Sequence, residues 1–161
     1  MIEYDTLIKK GFLLQNKLLL FDEAYKCFLE ASILQPSNYL AFYYMGQAQM
    51  KLSNYNEALV NMNMASNLCS TNARMRILLH IEAIQRIQLE EKCTPSHDEI
   101  LEQISSKVQF LQMGSIDSLS SIQWNALAEH LHSAGYLFAS RYAKKQGLIK
   151  EKEENSICLM S

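Results

Sequence analysis

A chain of 161 residues is long enough for one domain with a real core or for a short array of repeats. It holds five glycines and two prolines, with 48% of residues hydrophobic and 20% charged, a soluble balance that favours helices and argues against a loop-rich all-β fold. The formal charge of -2 gives no electrostatic reason to expect a nucleic-acid partner, since phosphate binding needs a concentrated basic footprint.

Tyr4 to about Leu18 reads as the first helix, with Leu7, Ile8, Gly11, Phe12 and Leu14 recurring on one face. The turn after it is apolar (Leu18, Leu19, Leu20) where an exposed turn would be polar. Those leucines either pack under a neighbour or form a contact surface, including one for a second copy of the chain. Phe21 to Leu34 is the second helix, with Asp22 and Glu23 suited to the positive end of its dipole. Pro36 stops it, because the proline ring cannot continue the hydrogen-bond ladder. Tyr39 to Leu52 and Tyr55 to Leu68 are the third and fourth helices, the latter opened by Asn54 with Glu57 three residues on. Ala73 to about Glu90 carries Ile77, Ile81, Ile84 and Ile87 along one side. Ser96-His97-Asp98-Glu99 is a capping box that opens a helix bearing Ile100, Ile104, Val108 and Leu111 and ending at Gly114. After a loop over 114–118, Leu119 to Ser133 places Ile122, Leu127 and Leu131 on one face beside Trp124 and Ala128. Gly135 breaks that helix, and Tyr136 to about Lys150 is the last one before a polar tail over 153–161. Basic residues near the end (Arg141, Lys144, Lys145, Lys150, Lys152) are interrupted by Glu151, Glu153 and Glu154 and read as a solvated helix face.

The segment Phe21 to Asn38 comes back 34 residues later. Phe21 returns as Tyr55, Glu23 as Glu57, Ala24 as Ala58, Phe28 as Met62, Ala31 as Ala65, Leu34 as Leu68 and Asn38 as Asn72. Self-similarity at this period is the mark of a repeat architecture. Residues 39–72 carry Phe42, Met45, Gly46, Tyr55, Ala58, Met62 and Ala65, with Ser70 where a proline would close the motif. This pattern resembles the tetratricopeptide repeat (TPR) family. Residues 5–38 match through Phe21, Ala24, Phe28, Ala31 and Pro36, and their first half aligns, at Gly11, when one extra residue is allowed in the turn. A third pair over 73–113 keeps the architecture without the signature, and Trp124, Leu127, Ala128, Leu131 and Gly135 outline a fourth.

The resemblance implies an all-α, right-handed solenoid of about four antiparallel helix pairs (4–38, 39–72, 73–113, 119–150). Each pair is too small to bury its own apolar side, so stacking must make one continuous core. It also implies a concave groove lined by Ile8 and Phe12, then Leu40, Tyr43, Gln47, Met50 and Lys51, then Arg74, Ile77, Ile81 and Ile84. Such a lining suits an apolar helical segment of a protein partner. The same apolar positions would serve equally as ordinary core, with the register displaced. The lining does not resemble the clamp that grips the acidic tail of a heat-shock chaperone. Its positions here are Ile8, Phe12, Tyr44, Arg74 and Leu78, of which only Arg74 could hold a carboxylate.

No catalytic constellation is expected: G-x-G-x-x-G, G-x-x-x-x-G-K, G-x-S-x-G and H-E-x-x-H do not occur. No metal or other cofactor is expected either, since His130 and His132 are two apart and point to different faces, while His80 and His97 lack companions at ligand spacing. Cys27, Cys69, Cys93 and Cys158 form no C-x-x-C pair. With Glu3 and Asp5 where a signal peptide would be basic, this points to free thiols in a reducing, cytoplasmic setting. The terminal Cys158-Leu159-Met160-Ser161 resembles a farnesyl-type prenylation box. Lipidation at Cys158 would add a weak, reversible hold on a membrane. The expectation is a non-enzymatic interaction module, an adaptor or a subunit of a larger assembly.

Overall fold

The computed structural model describes residues 3–160. Among them every regular element is helical: α1 (Tyr4–Asn16), α2 (Phe21–Leu34), α3 (Tyr39–Lys51), α4 (Tyr55–Leu68), α5 (Thr71–Lys92), α6 (His97–Phe110), α7 (Ser121–Ser133) and α8 (Leu137–Met160), with one short 3-10 turn, Ile116–Ser118. No helix among the described residues is long and apolar enough to cross a membrane. The chain divides after Ile84, within α5, into two compact units.

In the first unit α1 packs on α2, α2 on α3 and α3 on α4. The internal repeat is visible in the element boundaries. Helix α2 maps onto α4 at a displacement of 34 residues and α1 onto α3 at 35. The difference is one extra residue in the α1–α2 turn, which makes Gly11 the counterpart of Gly46. Each glycine lets its helix approach the next: a Cβ on Gly11 would enter the Phe28 ring, and one on Gly46 would lie 3.0 Å from Met62 Cγ. Ala24, Ala31, Ala58 and Ala65 are fully buried and widen the same close approaches. Phe28 and Met62, which correspond in the repeat, are both at 0% exposure and centre two successive core clusters. Both tight turns hold one left-handed residue, Leu19 (φ 55°) and Ser53 (φ 61°).

In the second unit α7 and the start of α8 repeat the frame of α3 and α4 at a displacement of 82 residues. Trp124, Leu127, Ala128 and Leu131 are buried at the positions of Phe42, Met45, Gly46 and Gln49, and left-handed Gly135 (φ 85°) replaces Ser53. Ser140 Oγ donates to Ala128 O at 2.9 Å inside the core, closing the pair. Ile104 and Val108 of α6 complete this cluster with Leu119.

Ile77, Ile81 and Ile84 of α5 pack with α3 and α4, and the buried face of α6 packs with α7 and α8. The second half of α5 makes polar contacts to the α7–α8 turn. Arg86 Nη1 donates to Ala134 O at 2.7 Å and its guanidinium lies 4.1 Å from the Tyr136 ring centre. Glu90 Oε2 accepts from Leu137 N (2.7 Å) and Phe138 N (3.3 Å), satisfying the first turn of α8. One expectation needs correction: the last helix does not stop near Lys150 before the polar tail, since α8 runs on to Met160. Glu154 supplies the reason, since its carboxylate accepts from Ser121 N (3.1 Å) and Ser121 Oγ (2.6 Å) at the start of α7. Those two hydrogen bonds hold its pKa below the usual carboxylate value. Ser161, the last residue of the terminal box, lies outside the described residues.

Candidate functional site

Apart from Tyr43, which is buried, the residues expected to line one groove separate into three groups. Ile77, Ile81 and Ile84 are 1%, 8% and 0% exposed and pack with Met62, Ala65 and Tyr43. They are core, and this corrects their assignment as groove lining. A stripe at i, i+4 and i+7 marks the face a helix buries, and here α3 and α4 already cover it. Arg74 turns away to donate from Nε to Ser66 O (3.2 Å) in the last turn of α4, a cation placed where the helix dipole favours one. The third group stays at the surface of the α1 and α3 layer: Ile8, Phe12, Leu40, Gln47 and Met50 are half-buried and Lys51 is exposed. Phe12 is fixed edge-on between Phe28 (6.1 Å) and Tyr44 (4.4 Å), so it too serves mainly to pack.

What the fold does assemble is a cavity of about 280 Å³ between α3 and the first turns of α5, walled by Tyr39, Leu40, Tyr43, Tyr44, Asn72 and Arg76, with Ile77 at its base. Leu40, Tyr43 and Ile77 were expected near a site; Tyr39, Tyr44, Asn72 and Arg76 were not. The missed signal is the spacing Arg76 to His80, one turn apart on α5 and one residue out of step with the isoleucine stripe.

Tyr43 is the hinge of the arrangement. It is 8% exposed, and its hydroxyl lies 3.0 Å from His80 Nε2. Burial raises the pKa of Tyr43, against the opposing pull of Arg76 and of a hydrogen bond with Gln47, and burial likewise raises that of Tyr44. Burial also lowers the pKa of His80, with Arg76 adding to the effect. Both shifts favour the neutral forms, so a protonated phenol and a neutral imidazole share this hydrogen bond. Both groups are satisfied by this bond. The ion pairs among the described residues, Lys144–Glu129 and Lys150–Glu153, lie elsewhere, so the Arg76 guanidinium has no carboxylate partner among them. The cavity thus offers aromatic faces, phenolic donors and one uncompensated cation.

Among the described residues no three His, Cys, Asp or Glu side chains come together as a metal site. His130 and His132 are both exposed on α7. Cys27 and Cys69 are buried, Cys93 and Cys158 are exposed, and none of the four is in a disulfide. Comparison of the chain with protein-family profiles, curated proteins and solved structures returns no match.

Proposed function

We propose that this chain is a non-enzymatic, tetratricopeptide-like interaction module that works in a reducing compartment and seats a segment of a protein partner over α3 and α5. The observation that carries the reading is the tyrosine-walled cavity with its unpaired Arg76. An apolar or aromatic side chain of a partner helix fits the faces of Tyr39, Leu40 and Tyr44, and a carboxylate or a helix C-terminal carbonyl fits the guanidinium. The expected apolar trough thereby becomes an amphipathic seat, since the isoleucines that would have made it oily are spent on the core. Four cysteines without a disulfide support the reducing setting.

Affinity capture from a native lysate, run side by side with wild type, Leu40→Glu and Arg76→Glu, tests the reading. Both substitutions are at the cavity surface and should leave stability within about 0.5 kcal/mol. The expected result is a protein captured by wild type and lost with both variants. Equal capture by all three would overturn the assignment.

A further inference from the structure

The basic residues of α8 are interrupted in linear order by Glu151, Glu153 and Glu154. The helix separates the two sets, because neighbours in sequence are turned about 100° from one another, so Glu151 faces away from Lys152. Arg141, Lys145 and Lys152 fall on one stripe along α8, four and seven residues apart. Glu154 lies on the far side, held to Ser121, and Glu153 is paired with Lys150 at 3.4 Å. All three cations of the stripe are exposed, and none is in an ion pair among the described residues. Leu148 stands between Lys145 and Lys152, 58% exposed, and Leu159 and Met160 continue the stripe at 90% exposure. Large apolar side chains so far out of a folded surface, set among unanswered cations, mark an interaction face rather than a solvated one.

We infer that this stripe is a docking face for an anionic membrane surface, on which α8 lies flat. Charge decides the occupant. A second copy of the stripe would set Arg141, Lys145 and Lys152 against like charges, whereas lipid phosphates and carboxylates answer all three. The opposite side of α8 is committed to α7, with Ala143 and Gly147 buried and Glu154 held to Ser121. A protein groove therefore could not close around the helix, but a lipid surface needs only its one open side. The stripe runs about 30 Å from Arg141 to Met160. Its leucines enter the boundary between headgroups and acyl chains, while the lysine and arginine stems lie along that boundary and keep their heads among the phosphates. Helix α8 is not apolar enough to cross a bilayer, so it rests on the surface. Three such cations are worth about a hundredfold in affinity between a neutral and an anionic surface. No residue of the tyrosine-walled cavity takes part.

Vesicle sedimentation of the full chain, purified from a bacterial host, tests the inference, with vesicles of phosphatidylcholine alone and of phosphatidylcholine mixed with phosphatidylserine. The expected result is partitioning onto the mixed vesicles about a hundredfold stronger than onto phosphatidylcholine alone, and weaker in high salt. Lys145→Glu with Lys152→Glu should abolish that preference. Leu148→Gln with Leu159→Gln should weaken binding to the mixed vesicles about tenfold or more. All four positions are exposed, so the thermal midpoint should hold and lost binding cannot be ascribed to unfolding. Lys9→Glu with Lys26→Glu makes the same change in net charge at exposed sites of the first unit and should bind as wild type does. No binding to the mixed vesicles, equal binding to both kinds, an equal loss with the Lys9 and Lys26 pair, or indifference to the leucine pair overturns the inference. Absence of vesicle binding together with an acidic protein captured by wild type and lost with the stripe variants would give the face to a protein partner instead.

Discussion

The internal repeat can be tested by exchanging the solutions its two copies use. Gly11 and Gly46 occupy the same position, yet Gly11 faces Phe28 and Gly46 faces Met62. A Cβ on Gly11 would lie 2.7 Å from Phe28 Cζ and 2.9 Å from Cδ1, whereas one on Gly46 would lie 3.0 Å from Met62 Cε and Cγ. The Phe28 ring has nowhere to go, being fully buried and in contact with the Phe12 and Tyr44 rings. Met62 is an unbranched chain with three rotatable bonds and can swing aside. Replacing glycine by alanine inside a helix gains about 1 kcal/mol of propensity, and overpacking costs about 1–3 kcal/mol. Gly11→Ala should therefore lose about 1–2 kcal/mol net, while Gly46→Ala should stay within about 0.5 kcal/mol of wild type. Introducing Phe28→Met beside Gly11→Ala should recover at least about 1 kcal/mol relative to additivity. Urea unfolding followed by far-ultraviolet circular dichroism is the assay, because the single tryptophan, Trp124, reports on the second unit alone. A neutral Gly11→Ala, or a loss that is the same with Phe28 and with Met at position 28, would refute the packing argument.

Other consequences are sharper in sign than in size. Ile84→Ala should cost about 2–5 kcal/mol, as expected of a fully buried side chain, whereas Leu79→Ala, 63% exposed, should stay within about 0.5 kcal/mol; similar losses would return Ile84 to the surface. Leu19→Gly should stabilise by about 0.5 kcal/mol, since relief of a left-handed non-glycine residue (about 1 kcal/mol or more) is partly offset by the freer unfolded chain. A lower urea midpoint would contradict that geometry. The depressed pKa of His80 has a definite sign. Between the lowered folded value and the unfolded value near 6.5 the unfolded chain binds the extra proton, so stability is complete above pH 6.5 and falls as pH drops through that window. His80→Gln should flatten this part of a midpoint-against-pH curve, and an unchanged slope would contradict the burial of His80 beside Arg76.

Much of this architecture could be read from residue spacing because it is locally written. Helix ends follow caps such as Ser96 with Glu99 and Asn38 with Leu40, whose partners are two or three residues away. The repeat follows from recurring small and large residues, and even the extra residue of the α1–α2 turn shows as a slip of Gly11 against Gly46. The cavity was only partly legible. Leu40 and Tyr43 sit at recognisable positions, but Arg76 and His80 share no motif with α3, and only contact across the fold makes them neighbours of Tyr43.

Periodicity in the chain by itself determined that there are helices, where they begin, and which stripe of each is apolar. It could not say what covers a stripe. Ile77, Ile81 and Ile84 have the same spacing whether they line an open face or fill an interior, and the tertiary packing of α5 on α3 and α4 decided for the interior. Packing likewise decided that α6 turns to α7 and α8. The polar ties behind those outcomes, Arg86 to Ala134, Glu90 to Leu137 and Glu154 to Ser121, span 33 to 48 residues. Hydrophobic burial has a period that a sequence displays; a single hydrogen bond between distant groups has none, and exists only once the chain has folded.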